Sequence, residues 1–175
     1  AREAYYYYFD NSNILKEENY KDGKKDGKFI SWYGNGQILK EEGYREGKKN
    51  GKFASFYENG QLKLEENFID NKKDGKWVTW YALDWTNYDF PDEITHYKDG
   101  IPNGRWAMLN NDGSVHREAH YKEGNRDGVF INYSHNETKR TIYKDGEFIS
   151  TEEDLMYFSE IWPNNYKDWA INNKK

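Results

Sequence analysis

The sequence repeats itself about every 24 residues. An aromatic residue followed by a glycine-bearing turn recurs with spacings of 24, 24, 29, 24 and 22 residues. The positions are Tyr20, Tyr44, Phe68, Tyr97, Tyr121 and Tyr143. A second glycine follows in each complete unit, and a second aromatic residue lies two residues after it, as at Gly27 and Phe29. Self-similarity at this period is typical of arrays in which each unit packs on its neighbours. The chain is therefore predicted to contain about six such units.

Each unit is predicted to be a β-hairpin. Asn35-Gly36, Asn59-Gly60 and Asp112-Gly113 lie between short runs rich in aromatic and β-branched residues. These dipeptides favour type I′ turns, because they accept positive φ at both central positions. Looser turns such as Asp22–Gly27 would join successive hairpins. The predicted fold is all-β, an elongated antiparallel β-meander of about six tandem hairpin repeats with a short helical C-terminal cap.

The aromatic residues of successive units are predicted to form two rows. Equivalent residues of such a meander lie two strands apart, roughly 10 Å, on one face. One row would hold Phe29, Phe53, Trp77, Trp106 and Phe130, and the other Trp32, Phe56, Trp80, Leu109 and Tyr133. Positions 29 and 32 differ by an odd number, so the two rows are expected on opposite faces. The rings either replace an aliphatic core or leave a ligand groove on one face.

Composition and charge narrow the function classes. Charged residues make up 33% of the chain, and 26 Lys and Arg against 31 Asp and Glu give a net charge of −5. Interspersed charges of this sign argue against nonspecific nucleic-acid binding, which requires a clustered basic surface. The chain has no Cys, and its 16 Tyr and 7 Trp can bury much apolar area from few positions. No apolar run approaches the ~20 residues of a membrane helix.

The C-terminal tail differs in kind from the repeats. Ser150 or Thr151, followed by three acids, is typical of a helix N-terminus. Apolar residues then recur at helical spacing at Leu155, Phe158, Ile161 and Trp162. Residues 1–150 are thus predicted to be the repeat array and residues 151–175 a helical cap over its last strand. An amphipathic helix that binds a partner is the alternative.

The third full unit carries the predicted partner site. It is 29 residues long, and its expected turn is replaced by an acidic and aromatic loop. The candidate partner-binding residues are Asp84, Trp85, Tyr88, Asp89, Phe90 and Asp92. Long loops on a rigid scaffold commonly carry function. The loop either contacts a basic partner, or its rings fold back and cap the aromatic face.

Catalytic, metal and cofactor sites are not predicted. His116 and His120 would ligate zinc on a helix, but on a strand they lie roughly 13 Å apart. The acidic pairs Glu17-Glu18, Glu41-Glu42 and Glu65-Glu66 recur with the repeat. Paired carboxylates can hydrolyse glycosides, but periodic ones are better interpreted as part of the repeat. The chain is therefore predicted to be non-enzymatic and to need no cofactor.

The repeat resembles a known family. The pattern Tyr-x-x-Gly-x-x-x-Gly-x-Phe-x-x-Trp-Tyr-x-Asn-Gly-x-Ile-x-x-Glu, at residues 20–41, resembles the bacterial variant of the MORN repeat found in YwqK-family antitoxins. The similarity covers about residues 3–149. It implies an elongated, twisted β-meander that takes part in protein or membrane interaction. The absence of a basic patch disfavours direct binding to anionic lipid.

The predicted function is that of a protein-binding module. An antitoxin or immunity role, with a basic toxin as partner, is its sharpest form. The alternatives are a secreted or cell-surface adhesin-like module that binds a host protein or glycan, and a hydrolase that uses the repeated carboxylates. Homo-oligomerisation and localisation stay open. An upstream signal before Ala1 would favour the cell envelope or secretion over the bacterial cytoplasm.

Overall fold

A computed structural model describes residues 1–10, 13–80, 90–133 and 138–151 of the chain. Within these ranges the chain forms eighteen β-strands. The strands are β1 (Arg2–Tyr8), β2 (Ile14–Lys21), β3 (Lys24–Lys25), β4 (Gly27–Trp32), β5 (Ile38–Arg45), β6 (Lys48–Lys49), β7 (Gly51–Phe56), β8 (Leu62–Ile69), β9 (Lys72–Lys73), β10 (Gly75–Thr79), β11 (Glu93–Lys98), β12 (Ile101–Pro102), β13 (Gly104–Leu109), β14 (Val115–Lys122), β15 (Asn125–Arg126), β16 (Gly128–Tyr133), β17 (Thr138–Lys144) and β18 (Glu147–Thr151). These ranges contain no helix.

The longer strands follow one another through a single antiparallel sheet. β1 pairs with β2, β2 with β4, and β4 with β5, and the pattern continues in chain order to β17 and β18. The predicted antiparallel meander is therefore confirmed. The predicted helical cap begins at Thr151, which is the last residue of β18 in the structure. Its other residues, 152–175, lie outside the described ranges, so the cap and its boundary stay predictions.

The two-residue hairpin turns lie at Asp22-Gly23 and at the equivalent dipeptides of the other units. Asp22 and Gly23 both have positive φ, 49° and 73°, and they join the paired residues Lys21 and Lys24. This is the two-residue type I′ geometry, whose twist matches that of the flanking strands. The same pair of positive φ values occurs at Glu46-Gly47, Asp70-Asn71, Asp99-Gly100, Glu123-Gly124 and Asp145-Gly146.

The prediction of type I′ turns at Asn35-Gly36 and its equivalents was therefore wrong. Gly36 alone has a positive φ there, 86°. Its backbone N–H donates to the Tyr33 oxygen at 2.9 Å, and Gln37 accepts from Tyr33 at 2.8 Å, which makes a type I turn followed by a bulge. The loop holds three residues rather than two, and the Asn35 side chain accepts from the Gln37 N–H at 2.9 Å. Both features favour type I.

The second glycine of each unit marks a β-bulge. Tyr20 pairs with Lys25, yet Glu17 pairs with Ile30, so the returning strand holds two more residues than its partner. Gly27 has a φ of 112° at this point, a backbone conformation that side chains disfavour. Asn19 Nδ2 donates to the Lys28 oxygen at 2.6 Å and replaces part of the interrupted ladder. The bulge explains why short strands such as β3 are separate from their long continuations.

The core of the sheet is thin. Among the described residues, no large side chain is less than 2% exposed. The buried apolar residues are Phe29, Phe53, Ala54, Phe68, Val78, Ala107, Ala119 and Ile142. They are distributed along the whole array instead of meeting at one centre. This is the arrangement expected when each unit packs only on the unit before and the unit after it.

Candidate binding face

The strand register assigns residues to two faces. Residues directly opposite in adjacent strands share a face, and the pairing can be followed from β2 to β17. One continuous row, here called the charged row, contains Lys16, Ser31, Lys40, Ser55, Leu64, Thr79, Glu93, Met108, Arg117, Asn132 and Lys139. Phe29 lies two residues before Ser31 on β4, so it projects from the same face. This face is called the ring face.

A ladder of aromatic rings crosses the ring face. Ring centroids of neighbours lie 4.9 Å apart at Phe53 and Phe68 and 5.6 Å apart at Tyr5 and Tyr20. The continuous ladder contains Tyr5, Tyr20, Phe29, Tyr44, Phe53, Phe68, Trp77 and Tyr97. A second ladder contains Tyr121, Phe130, Tyr143 and Phe148. Most of these contacts have edge-to-face geometry, the arrangement that aromatic pairs prefer.

The sequence indicated only half of this ladder. It placed Phe29 and Phe53 in a row with gaps of roughly 10 Å, and it treated Tyr20 and Tyr44 as markers of turns. In the structure Tyr44 lies between the two phenylalanines, with centroids 5.0 Å from Phe29 and 5.5 Å from Phe53. The missed signal was the Asp-Gly turn. A type I′ hairpin at Asp22-Gly23 brings the first and second aromatic of one unit onto adjacent strands.

Cations lie over the rings. Lys25 Nζ is 4.7 Å from the Phe29 centroid and 4.6 Å from the Tyr44 centroid. Lys73 Nζ is 3.8 Å from the Trp77 centroid, and Lys49 and Arg126 occupy equivalent positions in their units. A cation over a ring face is attracted by the ring quadrupole. The rings of the ladder are thus covered by positive charge at one side.

Carboxylates lie at the other side of the rings in the N-terminal half. Lys16 Nζ donates to Glu18 Oε1 at 2.8 Å, and this bond lowers the pKa of Glu18. Tyr44 donates its hydroxyl to Glu42 at 3.3 Å. Burial, followed by the Glu42 charge, raises the pKa of Tyr44 to about 12. Burial also raises the pKa of Glu66, against the attraction of nearby lysines.

The opposite face carries a second register row in which acids and small apolar residues alternate over the N-terminal units. It contains Glu17, Ile30, Glu41, Ala54, Glu65, Val78, Ile94, Ala107, Glu118, Ile131 and Arg140. Each acidic pair therefore divides between the faces, with Glu17 on the opposite face and Glu18 on the ring face. Lys52 pairs with Glu65 at 2.7 Å, and Arg105 pairs with Glu118 at 2.9 Å. These ion pairs are exposed enough to contribute little individually.

The predicted partner site falls mostly outside the described ranges. Asp84, Trp85, Tyr88 and Asp89 lie outside them, whereas Phe90 and Asp92 lie inside. Phe90 is 44% exposed, and its ring covers Gly113, where an added Cβ would come within 2.6 Å of the ring. Asp92 continues the sheet through its backbone, donating to Thr79 and accepting from Leu109 at 2.9 Å each. Phe90 therefore packs against the next hairpin turn.

The two histidines lie on one strand, as the sequence predicted. His116 and His120 belong to β14, and burial lowers the pKa of His120. No cluster of three or more His, Cys, Asp or Glu side chains suited to a metal occurs among the described residues. Across the same residues, no helix has the length and apolar content needed to span a membrane.

Comparison with protein families identifies two of the units. Residues 25–46 and 49–70 match the family model described as MORN repeat variant. These two segments are therefore similar to MORN repeats. Each matched segment spans a bulge glycine, the strand that carries the second aromatic, a type I turn and the strand that returns to the next type I′ turn. A search of the curated proteins finds no match to the chain.

Proposed function

We propose that the protein is a non-enzymatic, protein-binding repeat module. The ring face carries the proposal, because it presents a regular array of rings, cations and carboxylates on an open sheet. Aromatic residues and Arg are enriched where proteins bind one another. An edge-to-face contact with Tyr20 at 5.6 Å already holds Tyr5, whose ring is 46% exposed. A partner would therefore bind with little loss of side-chain freedom.

The state of the carboxylates supports a binding role over a hydrolytic one. A general acid needs a pKa close to the working pH. Glu18 has a lowered pKa, because Lys16 donates to it. Glu66 has a raised pKa, but its register partner is Phe53, so the position suits packing more than acid catalysis. Glycoside turnover that is lost on changing Glu41 and Glu42 to Gln would contradict this part of the proposal.

The sharper form of the proposal is an antitoxin or immunity role with a basic partner. The segment from Asp84 to Asp92 supports it by composition, since acids alternate with rings over a short stretch. Complementary charge speeds the encounter of two proteins and disfavours other partners. An adhesin-like role is the second candidate. The exposed tyrosines of β1, which range from 39% exposed at Tyr7 to 57% at Tyr8, support it because ring faces stack on sugars.

Two variants of the acidic loop test the basic-partner form. Trp85→Ala with Phe90→Ala removes rings, and Asp84→Asn with Asp89→Asn removes charge. We expect both to abolish capture of a basic protein from a lysate of the source organism. The charge variant should leave the melting temperature unchanged, whereas the ring variant should lower it slightly, because Phe90 packs against the turn at Gly113. Ile69→Ala, at an apolar side chain that is 51% exposed and projects from the opposite face next to Phe68, is the control and should leave capture unchanged. Undiminished capture by both loop variants would exclude this loop as the contact surface.

A further inference from the structure

The two halves of the ring face differ in charge. Two residues before the first aromatic of each unit, the N-terminal half has an acid, at Glu18, Glu42 and Glu66. The corresponding residues of the C-terminal half are Thr95, Ala119 and Thr141. They occupy the same place in the register, since Phe53 pairs with Glu66 and Phe130 pairs with Thr141. The C-terminal half of the face has therefore lost its column of acids.

The cations of the C-terminal half remain. Arg117 and Lys139 belong to the charged row and are separated by Asn132 alone, and Arg126 lies over Phe130 at 4.7 Å. Their polar contacts are with neutral groups. Arg117 Nε donates to Asn132 at 3.3 Å, and Arg126 donates to the Tyr143 hydroxyl at 3.3 Å. Within the described ranges no carboxylate forms an ion pair with these three cations, whereas Lys16 is bound to Glu18.

A groove of about 410 Å³ lies among these cations, and we call it the basic groove. Its lining is Trp106, Arg117, Tyr121, Arg126, Phe130, Ile131, Asn132, Lys139, Thr141 and Tyr143. It combines four rings and three cations with no carboxylate. The corresponding space in the N-terminal half measures about 110 Å³, and Glu17, Glu18 and Glu42 contribute to its lining. The volume of the basic groove is in the range of natural ligand sites.

The ring ladder is interrupted beside the groove. The ladder stops at Tyr97 and resumes at Tyr121 in the described part of the chain. Trp106 lies between them in sequence, and its Nε1 donates to Glu93 Oε1 at 2.6 Å. Glu93 is the charged-row acid nearest to the groove, with Met108 between it and Arg117. The Glu93 carboxylate is thus bound by the indole and is not part of the groove lining.

We propose that the basic groove binds an acidic, aromatic-containing segment of a partner protein. The cations supply charge complementarity for carboxylates, and Arg117 and Arg126 can hold a carboxylate through two parallel hydrogen bonds. The rings accept an apolar side chain next to the acid. Arg117 and Lys139 are two strand spacings apart, roughly 10 Å, so acids on an extended segment can reach both. Anionic membranes are a poorer fit, because they attract clusters of about four to eight cations.

This site rests on the proposed function only in that its ligand is part of a protein. It lies outside the loop from Asp84 to Asp92, and it selects an acidic segment where the loop selects a basic one. The two sites can therefore be lost separately. The loop variant Trp85→Ala with Phe90→Ala should leave binding at the basic groove unchanged.

The test uses a short synthetic peptide of alternating Asp and Tyr, with a Lys and Tyr peptide as its counterpart. Calorimetric titration of the whole chain should show binding of the acidic peptide alone, and the affinity should fall as salt rises. Arg117→Gln with Lys139→Gln should weaken it at least ~tenfold, which corresponds to about 1.4 kcal/mol. Lys16→Gln with Lys40→Gln is the matched control from the same row, and it should leave the affinity unchanged.

Three outcomes would overturn the proposal. The first is equal binding of the acidic and basic peptides. The second is an equal loss of affinity in the Lys16 and Lys40 variant, since that would indicate a general charge effect. The third is binding to vesicles of phosphatidylserine and phosphatidylcholine that depends on Arg117 and Lys139 while the peptide does not bind. If capture of a basic protein does not depend on the loop from Asp84 to Asp92, while the acidic peptide still binds the basic groove, only the basic-partner function is contradicted.

Discussion

The indole of Trp106 donates to Glu93 Oε1 at 2.6 Å, at the point where the ring ladder is interrupted. Glu93 also accepts from the Thr95 hydroxyl at 3.3 Å. The two strands that carry these residues, β11 and β13, pair directly only at Glu93 and Ile94. The side-chain bond therefore joins the two halves of the array where ring contacts do not.

Removal of the Glu93 acceptor tests this connection. Glu93→Ala leaves a half-buried indole N–H without its partner, and we expect the free energy of unfolding to fall by about 1–3 kcal/mol. Glu93→Gln keeps an oxygen at the same place and should lose less than half as much, because only the charge is removed. Urea unfolding followed by circular dichroism measures both. Equal losses in the two variants would show that the bond contributes through charge alone.

The rings at the centre of the ladder are expected to stabilise the array more than those at its end. Phe53 is 5% exposed, and its centroid lies 4.9 Å from Phe68. Phe53→Ala should lower the free energy of unfolding by about 3–5 kcal/mol, since it leaves a cavity between packed rings. Phe148, which is 55% exposed and contacts Tyr143 at 6.1 Å, provides the control. If Phe148→Ala were as destabilising as Phe53→Ala in urea, the ladder would not be the core.

The bulge glycines are expected to be required for their backbone conformation. Gly51 has a φ of 93°, and an added Cβ would meet nothing within 4 Å. Gly51→Ala therefore isolates backbone strain, and we expect a loss of about 1–2 kcal/mol. Gly34 also has open space but no positive φ, so Gly34→Ala should be neutral or stabilising by up to about 1 kcal/mol. Thermal melts of the two variants compare them directly, and a neutral Gly51→Ala would contradict the bulge assignment.

Much of this architecture could be predicted from the sequence. The 24-residue period gave the number of units, and the period of two along strands divides Glu17 from Glu18 between the faces. The turn types were exchanged, because Asn-Gly and Asp-Gly look alike as dipeptides. What separates them is the number of residues between the last paired positions, which depends on strand register. The contact of Lys25 with two rings depends on the same register and was missed for the same reason.

The candidate site was less accessible to sequence reasoning. The acidic loop stood out by composition, and Phe90 is the one ring of that loop for which a contact is described. The basic groove depends on an absence in the repeat, the replacement of Glu by Thr95, Ala119 and Thr141. That change has a meaning only when the register places those residues beside Arg117 and Lys139. Charge counted over the whole chain, −5, conceals it.

The contact between Phe90 and Gly113 can be measured by comparison with an equivalent turn. Gly113 and Gly36 both have positive φ, 80° and 86°. An added Cβ would come within 2.6 Å of the Phe90 ring at Gly113, but it would meet nothing at Gly36. Gly113→Ala should therefore destabilise more than Gly36→Ala, by roughly 1–3 kcal/mol for overpacking. Phe90→Ala should remove the difference in a double-mutant cycle, and a difference that persists would place its cause in the turn itself.

The pKa of Tyr44 makes a prediction for alkaline pH. Burial and the Glu42 charge raise the pKa of Tyr44 to about 12 in the folded chain, whereas an unfolded tyrosine titrates near its ordinary value of about 10. The folded state then binds the proton more tightly than the unfolded state. Its contribution to stability is fully present below about pH 10 and is lost as the pH rises through about 12. We expect Tyr44→Phe to flatten the decline in melting temperature over this range, and Tyr8→Phe, at a side chain that is 57% exposed, to leave the decline unchanged.

Titration of tyrosinate absorbance in the wild type and in Tyr44→Phe gives an independent measure, since the variant should lose a step above pH 10. If the variant instead loses its tyrosinate step near pH 10, the pKa of Tyr44 is not raised.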